Sequence, residues 1–197
     1  IFKTKRAGEG ADVFNLFGLK NIHFRNFAIT GEITGAYTVG TNGISIVGGY
    51  DNITIDGVLL YDLPSADRTG AGDYIDGGKA VTLQNDTASG PGWDVEIGTL
   101  KANYIARGCS QGFGFEASLE GFLSKAVSVD VDLIAEDCFV AVTCGAGEAT
   151  GAIPVGVDSG VRVNAMTINC QKDVILGRIH GVTIDCNIVT TKSAAAR

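Results

Sequence analysis

The sequence predicts an all-β fold: a right-handed single-stranded parallel β-helix of about six to seven coils. Three observations predict it. One apolar spacing recurs along the chain, Gly-rich stretches separate its copies, and Gly outnumbers Pro by 28 to 3 in 197 residues. Abundant Gly supplies tight corners, and scarce Pro leaves backbone N–H groups free to join sheet ladders.

The clearest copy is Asn21–Ile29, with apolar side chains at Ile22, Phe24, Phe27 and Ile29, offsets of 0, +2, +5 and +7. Asn52–Leu60 repeats it as Ile53, Ile55, Val58 and Leu60. The spacing also fits Val95, Ile97, Leu100 and Ala102, then Leu133, Ala135, Cys138 and Val140. Val161, Val163, Met166 and Ile168 follow, and last come Val182, Ile184, Asn187 and Val189, with a polar third slot. Residues two apart share one face of a strand, and the jump of three marks a bend before alternation resumes. One coil cannot bury its apolar face alone, so neighbours must stack on it. The copies start at 22, 53, 95, 133, 161 and 182, at intervals of 31, 42, 38, 28 and 21. A solenoid tolerates such variation because loops leave at its corners. Right-handed crossover is the default for parallel connections.

The remaining elements follow in order. Val13–Phe17 is strand-like, and a further strand precedes template copies at Ile44–Val47, Ala80–Leu83 and Val174–Leu176. One short helix is expected at Ala117–Ala126, where Leu119, Phe122, Leu123 and Ala126 share a face. Loops are expected at Asp62–Lys79, Asn85–Trp93, Gly108–Glu120 and Gly145–Gly160. Hairpin signals are few, and one of them, Asp56-Gly57, lies inside the template, which disfavours a β-sandwich. The domain reading is a single β-helix over residues 1–197, and with Ile1 rather than Met first, a processed chain or a section of a longer one.

A formal net charge of -7 with no strong Lys/Arg cluster argues against nucleic acid as partner. No apolar run reaches membrane-spanning length, so membrane insertion is not expected. The five cysteines, Cys109, Cys138, Cys144, Cys170 and Cys186, lack Cys-x-x-Cys spacing and read as small buried thiols. Disulfides Cys138–Cys144 or Cys170–Cys186 stay open.

Outward positions of the template's first strand give two columns. One is His23, Thr54, Glu96, Ile134, Arg162 and Thr183; the other is Arg25, Asp56, Gly98, Glu136, Asn164 and Asp185. Asp56, Glu96 and Glu136 would then lie on successive coils, flanked by His23, Arg25 and Arg162. Two carboxylates suffice for glycoside hydrolysis, one giving a proton to the leaving oxygen and one activating water or attacking carbon. Two coils separate Asp56 from Glu136, about 9.6 Å at about 4.8 Å per coil, near the roughly 6.5–9.5 Å of inverting enzymes. Hydrolysis needs no cofactor. The lyase alternative takes a Ca²⁺ held by Asp56, Glu96 and Glu136, with Arg162 or Lys125 as base. A solvated face is the plain alternative for all of these carboxylates. Trp93, the only Trp, could stack on a sugar ring, and Tyr50, Tyr61, Tyr74 and Tyr104 are weaker candidates for that role. His180 sits in a turn, Gly177–Gly181.

The Asn52–Val58 style of coil resembles the pectate-lyase-like β-helix superfamily, over roughly Val13 to Thr191. The polygalacturonase motifs Asn-Thr-Asp, Asp-Asp, Gly-His-Gly and Arg-Ile-Lys are missing, and Arg178-Ile179-His180 only echoes the last. Irregular loops and the lack of a fixed catalytic motif are most similar to the tailspike depolymerases of bacteriophages. The resemblance implies a homotrimer on the virion tail that binds and often cleaves capsule or O-antigen. A secreted bacterial polysaccharide lyase or hydrolase, or a non-enzymatic β-helix adhesin or tail structural protein, are the alternatives.

Overall fold

The computed structural model describes residues 1–4, 12–31, 41–47, 50–63, 78–84, 96–117, 125–146, 160–176 and 182–189. Among these residues the regular structure is strand alone, every pairing is parallel, and no helix occurs. Sheet A holds β1 (Phe2–Thr4), β3 (Lys20–Arg25), β4 (Ala28–Gly31), β6 (Asp51–Tyr61), β8 (Glu96–Arg107), β10 (Lys125–Glu136), β12 (Val161–Ile168) and β14 (Val182–Val189). Sheet B holds β2 (Phe14–Phe17), β5 (Ile44–Val47), β7 (Lys79–Gln84), β9 (Gln111–Ala117), β11 (Val140–Ala146) and β13 (Lys172–Leu176). From β5 onward, consecutive strands alternate between the sheets, and each lies beside the previous member of its own sheet. Such winding is compatible with a parallel β-helix, and it satisfies the rule that parallel neighbours need a long crossover.

Sheet A contributes stacked rows to the core. Ile53, Leu100, Val129 and Val161 are in register and buried, as are Ile55, Ala102, Val131 and Val163. A third row is Val58, Tyr104, Leu133 and Ala165, and a fourth is Leu60, Ala106, Ala135 and Thr167. Fully burying each large aliphatic side chain is worth about 1.5–3 kcal/mol, so these rows dominate the stack's stability. Sheet B adds Ile44, Val81, Phe113 and Val142, and then Ile46, Leu83, Phe115 and Cys144. Ser45 and Thr82, between those rows, are fully buried too, so β5 and β7 are covered on both faces. At one end Phe14 of sheet B packs against Phe24 and Phe27 of sheet A, with ring centroids 5.1 Å and 6.0 Å away.

Corners follow backbone chemistry. Asp62, Gly108, Asp137 and Asn169 end successive sheet A strands with positive φ of 50, 61, 52 and 54 degrees. Asn, Asp and Gly are the residues that enter this left-handed region at least cost. Each amide is used: Asp62 N donates to Arg107 O at 3.0 Å, Gly108 N to Glu136 O at 2.9 Å and Asp137 N to Ile168 O at 2.9 Å. Cys109, Cys138 and Cys170 come next in sequence, and their thiols donate back to the carbonyls of Leu60, Ala106 and Ala135 at 3.5–3.6 Å. At the entry corner Asn21 and Asn52 take φ of 59 and 52 degrees, and Asn52 Nδ2 donates to Asn21 Oδ1 at 2.7 Å. All five cysteines are free, so neither of the open disulfide pairings forms.

Several expectations need correction. The template with its jump of three holds in the first two coils, where Asn26 and Gly57 supply an extra residue at φ of 53 and 62 degrees. Opposite β8 that extra residue shifts the register between Asp56 and Val58. The later strands have no such residue and alternate without a break, so Leu100 and Val129, not Val95 and Leu133, are level with Ile53. Met166 and Val189, expected inside, are each 42% exposed, and Ala165 and Thr167 take the inward places of β12. The expected helix is overturned at both ends, since Ala117 closes β9 and Ala126 lies in β10; Leu119, Phe122 and Leu123 fall outside the described residues. The loop expected at 108–120 is strand β9 over much of its length. Expected strands at 44–47, 80–83 and 174–176 are present as β5, β7 and β13.

Candidate functional site

Register on sheet A fixes which outward side chains share a row. The first row is His23, Thr54, Lys101, Asp130, Arg162 and Thr183. The second is Arg25, Asp56, Asn103, Asp132, Asn164 and Asp185. The third is apolar over most of its length: Ala28, Leu59, Ile105, Ile134, Met166 and Asn187. The fourth is Thr30, Tyr61, Arg107, Glu136, Ile168 and Val189. Alternation about the buried rows, interrupted only at Asn26 and Gly57, drives all four outward, because successive side chains of a strand point to opposite faces.

This arrangement separates residues that the sequence spacing had grouped. His23, Asp56, Arg25 and Arg162 lie on the outward face in the first two rows, all exposed. Glu96 is not level with Asp56; its backbone is paired with Lys125, at the start of β8. Glu136 stands four residues beyond Asp132 on β10, about 13 Å at about 3.3 Å per residue. It belongs to the fourth row, where it is paired with Arg107. The cause is the register correction above: a template borrowed from the two bulged coils misaligns strands that lack the bulge. Trp93, Tyr74 and His180 lie outside the described residues. Tyr50 and Tyr104 are buried, Tyr104 Oη donating to Gly112 O at 2.9 Å, so neither can meet a ligand; Tyr61 is half-buried on the fourth row.

Asn103 and Asp132 take the places expected for Gly98 and Glu136 in the second row and were missed by the sequence reading, which had already put Asn164 and Asp185 there. Asp56, Asn103, Asp132, Asn164 and Asp185 alternate acid and amide along five adjacent strands. Asn164 Nδ2 donates to Asp132 Oδ1 at 2.9 Å. The signal for them was present in Lys101-x-Asn103, Asp130-x-Asp132, Arg162-x-Asn164 and Thr183-x-Asp185, each a charged or hydroxyl residue two before an acid or amide. In the fourth row Arg107 Nε meets Glu136 Oε2 at 2.6 Å.

Beside this face, the entry corner is tied by Asp51. Its Oδ1 accepts from Thr99 N and Thr99 Oγ1, each at 3.1 Å, and from Asn52 N at 2.9 Å. Bonds from Thr99 hold the Asp51 carboxyl below the usual carboxylate range. Among the described residues no three His, Cys, Asp or Glu side chains are grouped to hold a metal ion, and register separates the carboxylates of the lyase alternative. Chemically the face offers carboxylates two strands apart in the second row, about 9.6 Å at about 4.8 Å per strand, with interleaved amides and flanking cations, a set suited to hydroxyl-rich ligands. No family model matches the chain, and no curated protein or solved structure matches it.

Proposed function

We propose that the outward face of sheet A binds a bacterial surface polysaccharide, capsule or O-antigen, and cleaves it by glycoside hydrolysis. On this reading the chain is a right-handed β-helix of the tailspike kind with about six to seven coils, acting as a homotrimer on a virion tail. The observation that carries the proposal is the second row: Asp56 and Asp132 stand two strands apart with Asn103 between them.

Two strands amount to about 9.6 Å at the backbone, close to the roughly 6.5–9.5 Å that lets an acid and a base flank a sugar and a water. Asp132, oriented by the Asn164 amide, serves as the base that activates water. Asp56, exposed in the same row, serves as the acid that protonates the leaving oxygen. Arg25, His23 and Arg162 donate hydrogen bonds to the flanking sugars. Glu96 and Glu136 stand outside this pair because the strand register sets them in other positions.

Incubation of the purified chain with a panel of bacterial capsular and O-antigen polysaccharides tests the proposal, with chain length of the glycan as readout. Cleavage of at least one glycan is expected, and Asp56→Asn and Asp132→Asn should each lower the rate at least 100-fold at unchanged thermal stability, on the order expected for loss of general acid–base catalysis. Cleavage that persists in both variants would remove the pair. Binding without cleavage would favour the non-enzymatic adhesin.

A further inference from the structure

Across the first two rows the sign of charge alternates strand by strand. Basic side chains stand on β3 (His23 and Arg25), β8 (Lys101) and β12 (Arg162). Acids stand on the strands that alternate with these: Asp56 on β6, Asp130 and Asp132 on β10, and Asp185 on β14. No strand carries both signs in these rows. Bands of one sign therefore recur every two strands, about 9.6 Å at about 4.8 Å per strand. Pairing within the face does not absorb the charges. Among the described residues neither Lys101 nor Arg162 forms an ion pair, although Asp130 is level with both. Both cations are exposed while Asp130 is half-buried, and Asp132 takes its hydrogen bond from the Asn164 amide, not from a cation.

We infer that the bound glycan runs across the strands, along the stack, and is an acidic polysaccharide with one carboxylate per disaccharide-length repeat. This rests on the polysaccharide reading above and narrows it to a substrate class. Two sugar units of an extended glycan span about the interval between basic bands, so carboxylates at that spacing meet β8 and β12 together. Arg162 takes one through paired N–H donors, and Lys101 takes the next as a point charge. The uncharged sugar between them lies over β10, where Asp130 and Asp132 accept its O–H groups. A carboxylate on every sugar would set alternate ones against the acid bands, where like charges repel. Lys101 stands on the strand between Asp56 and Asp132, so the carboxylate it holds belongs to a sugar at the cleaved bond. The net charge of -7 opposes an anion only at longer range, and physiological salt screens it beyond about 8 Å.

Purified bacterial surface polysaccharides are sorted into three sets: a carboxylate on alternate sugars, on every sugar, and on none. Binding to the wild-type chain, Lys101→Gln, Arg162→Gln and Lys101→Arg is measured by calorimetry, and acidic binders are retested after chemical reduction of their carboxyl groups to alcohols. The tightest binding is expected in the first set, with affinity about tenfold lower or more in the other two. Lys101→Gln and Arg162→Gln should each weaken that binding about tenfold, the loss expected for one charge-assisted hydrogen bond. Lys101→Arg should keep most of it. Carboxyl reduction should cost wild type about tenfold or more and Lys101→Gln less. Equal affinity across the sets, tightest binding in the second or third, or unchanged affinity in both Gln variants overturns this inference and leaves the polysaccharide reading standing. Gln variants that lose thermal stability but no affinity assign the bands to cross-strand pairing within the fold, which overturns it too. Failure of every glycan to bind overturns both.

Discussion

Asn164 donates its side-chain N–H to Asp132 at 2.9 Å across the β10–β12 pair, and Asp185 follows Asn164 in the same row on β14. The amide therefore stands between two carboxylates and keeps acids off neighbouring strands at this end of the row.

Asn164→Asp removes that separation and places three acids side by side. Repulsion between carboxylates raises the folded-state pKa of at least one of them above its unfolded value. Such a group destabilises the fold above that pKa and ceases to do so as pH falls and it takes up a proton. The variant should lose about 0.5–1 kcal/mol at pH 7 and recover most of it by pH 4. Urea denaturation of both proteins across that range measures the difference; a deficit independent of pH would refute the electrostatic account.

Gly108 holds φ at 61 degrees, and a Cβ there would come within 2.6 Å of Asp62 Oδ1. Gly108→Ala should cost about 1–2 kcal/mol, from the left-handed backbone together with the displaced carboxylate. Gly108→Asn should cost less, because Asn tolerates this conformation and Asn169 occupies the equivalent corner. Thermal melts should rank the proteins Gly, Asn, Ala, and an inverted order would contradict the corner assignment.

The contact with the Cys109 thiol pushes Cys138 up to about 12, and burial does the same for Cys144. Burial likewise raises the Tyr50 and Tyr104 phenols. In the unfolded chain the thiols ionise near 9.0, while in the fold they remain protonated. Between those values the unfolded state has released protons that the folded state keeps, so stability falls as pH rises. Alkaline unfolding should therefore begin above about pH 9, and Cys138→Ala/Cys144→Ala should flatten that limb of the curve. Under native conditions at pH 8 these thiols should resist a disulfide reagent until denaturant is added.

The Arg107–Glu136 pair is close, at 2.6 Å, yet its side chains are 54% and 30% exposed. Solvent screens such a pair, and Glu136→Gln should cost no more than about 1 kcal/mol at low salt, less at 1 M. A larger, salt-independent loss would mean that Glu136 has a role beyond this pair.

The first two coils were legible because each part of them carries a chemical mark. Asn21 and Asn52 open them, Asn26 and Gly57 bulge them, and four large apolar residues fill each one. Strand register in the later coils was less legible. Unbroken alternation in β8 and β10 tells which residues share a face, but not which residue stands opposite Ile53. Sliding a strand along its neighbour by two residues leaves the faces unchanged. Marks that would have fixed it were present at Gly108-Cys109, Asp137-Cys138 and Asn169-Cys170, where a left-handed residue precedes a corner thiol. Aligned on those corners, Asp132 moves beside Asn103 and Glu136 beside Arg107.

By itself, then, the sequence determined that the regular structure of the described residues is built of strands stacked in parallel about buried apolar rows, though it also led to a helix at Ala117–Ala126 whose ends are strand. Local residue choice suffices for that: Gly, Asn and Asp at the corners, β-branched and aromatic residues between them, few prolines to interrupt the ladders. Which outward side chains become neighbours was decided only in the tertiary structure. Hydrogen bonds between strands far apart in sequence set the register, and the extra residue Gly57, matched by Asn26 but absent from β8, moves Val58–Tyr61 by one relative to their partners on β8.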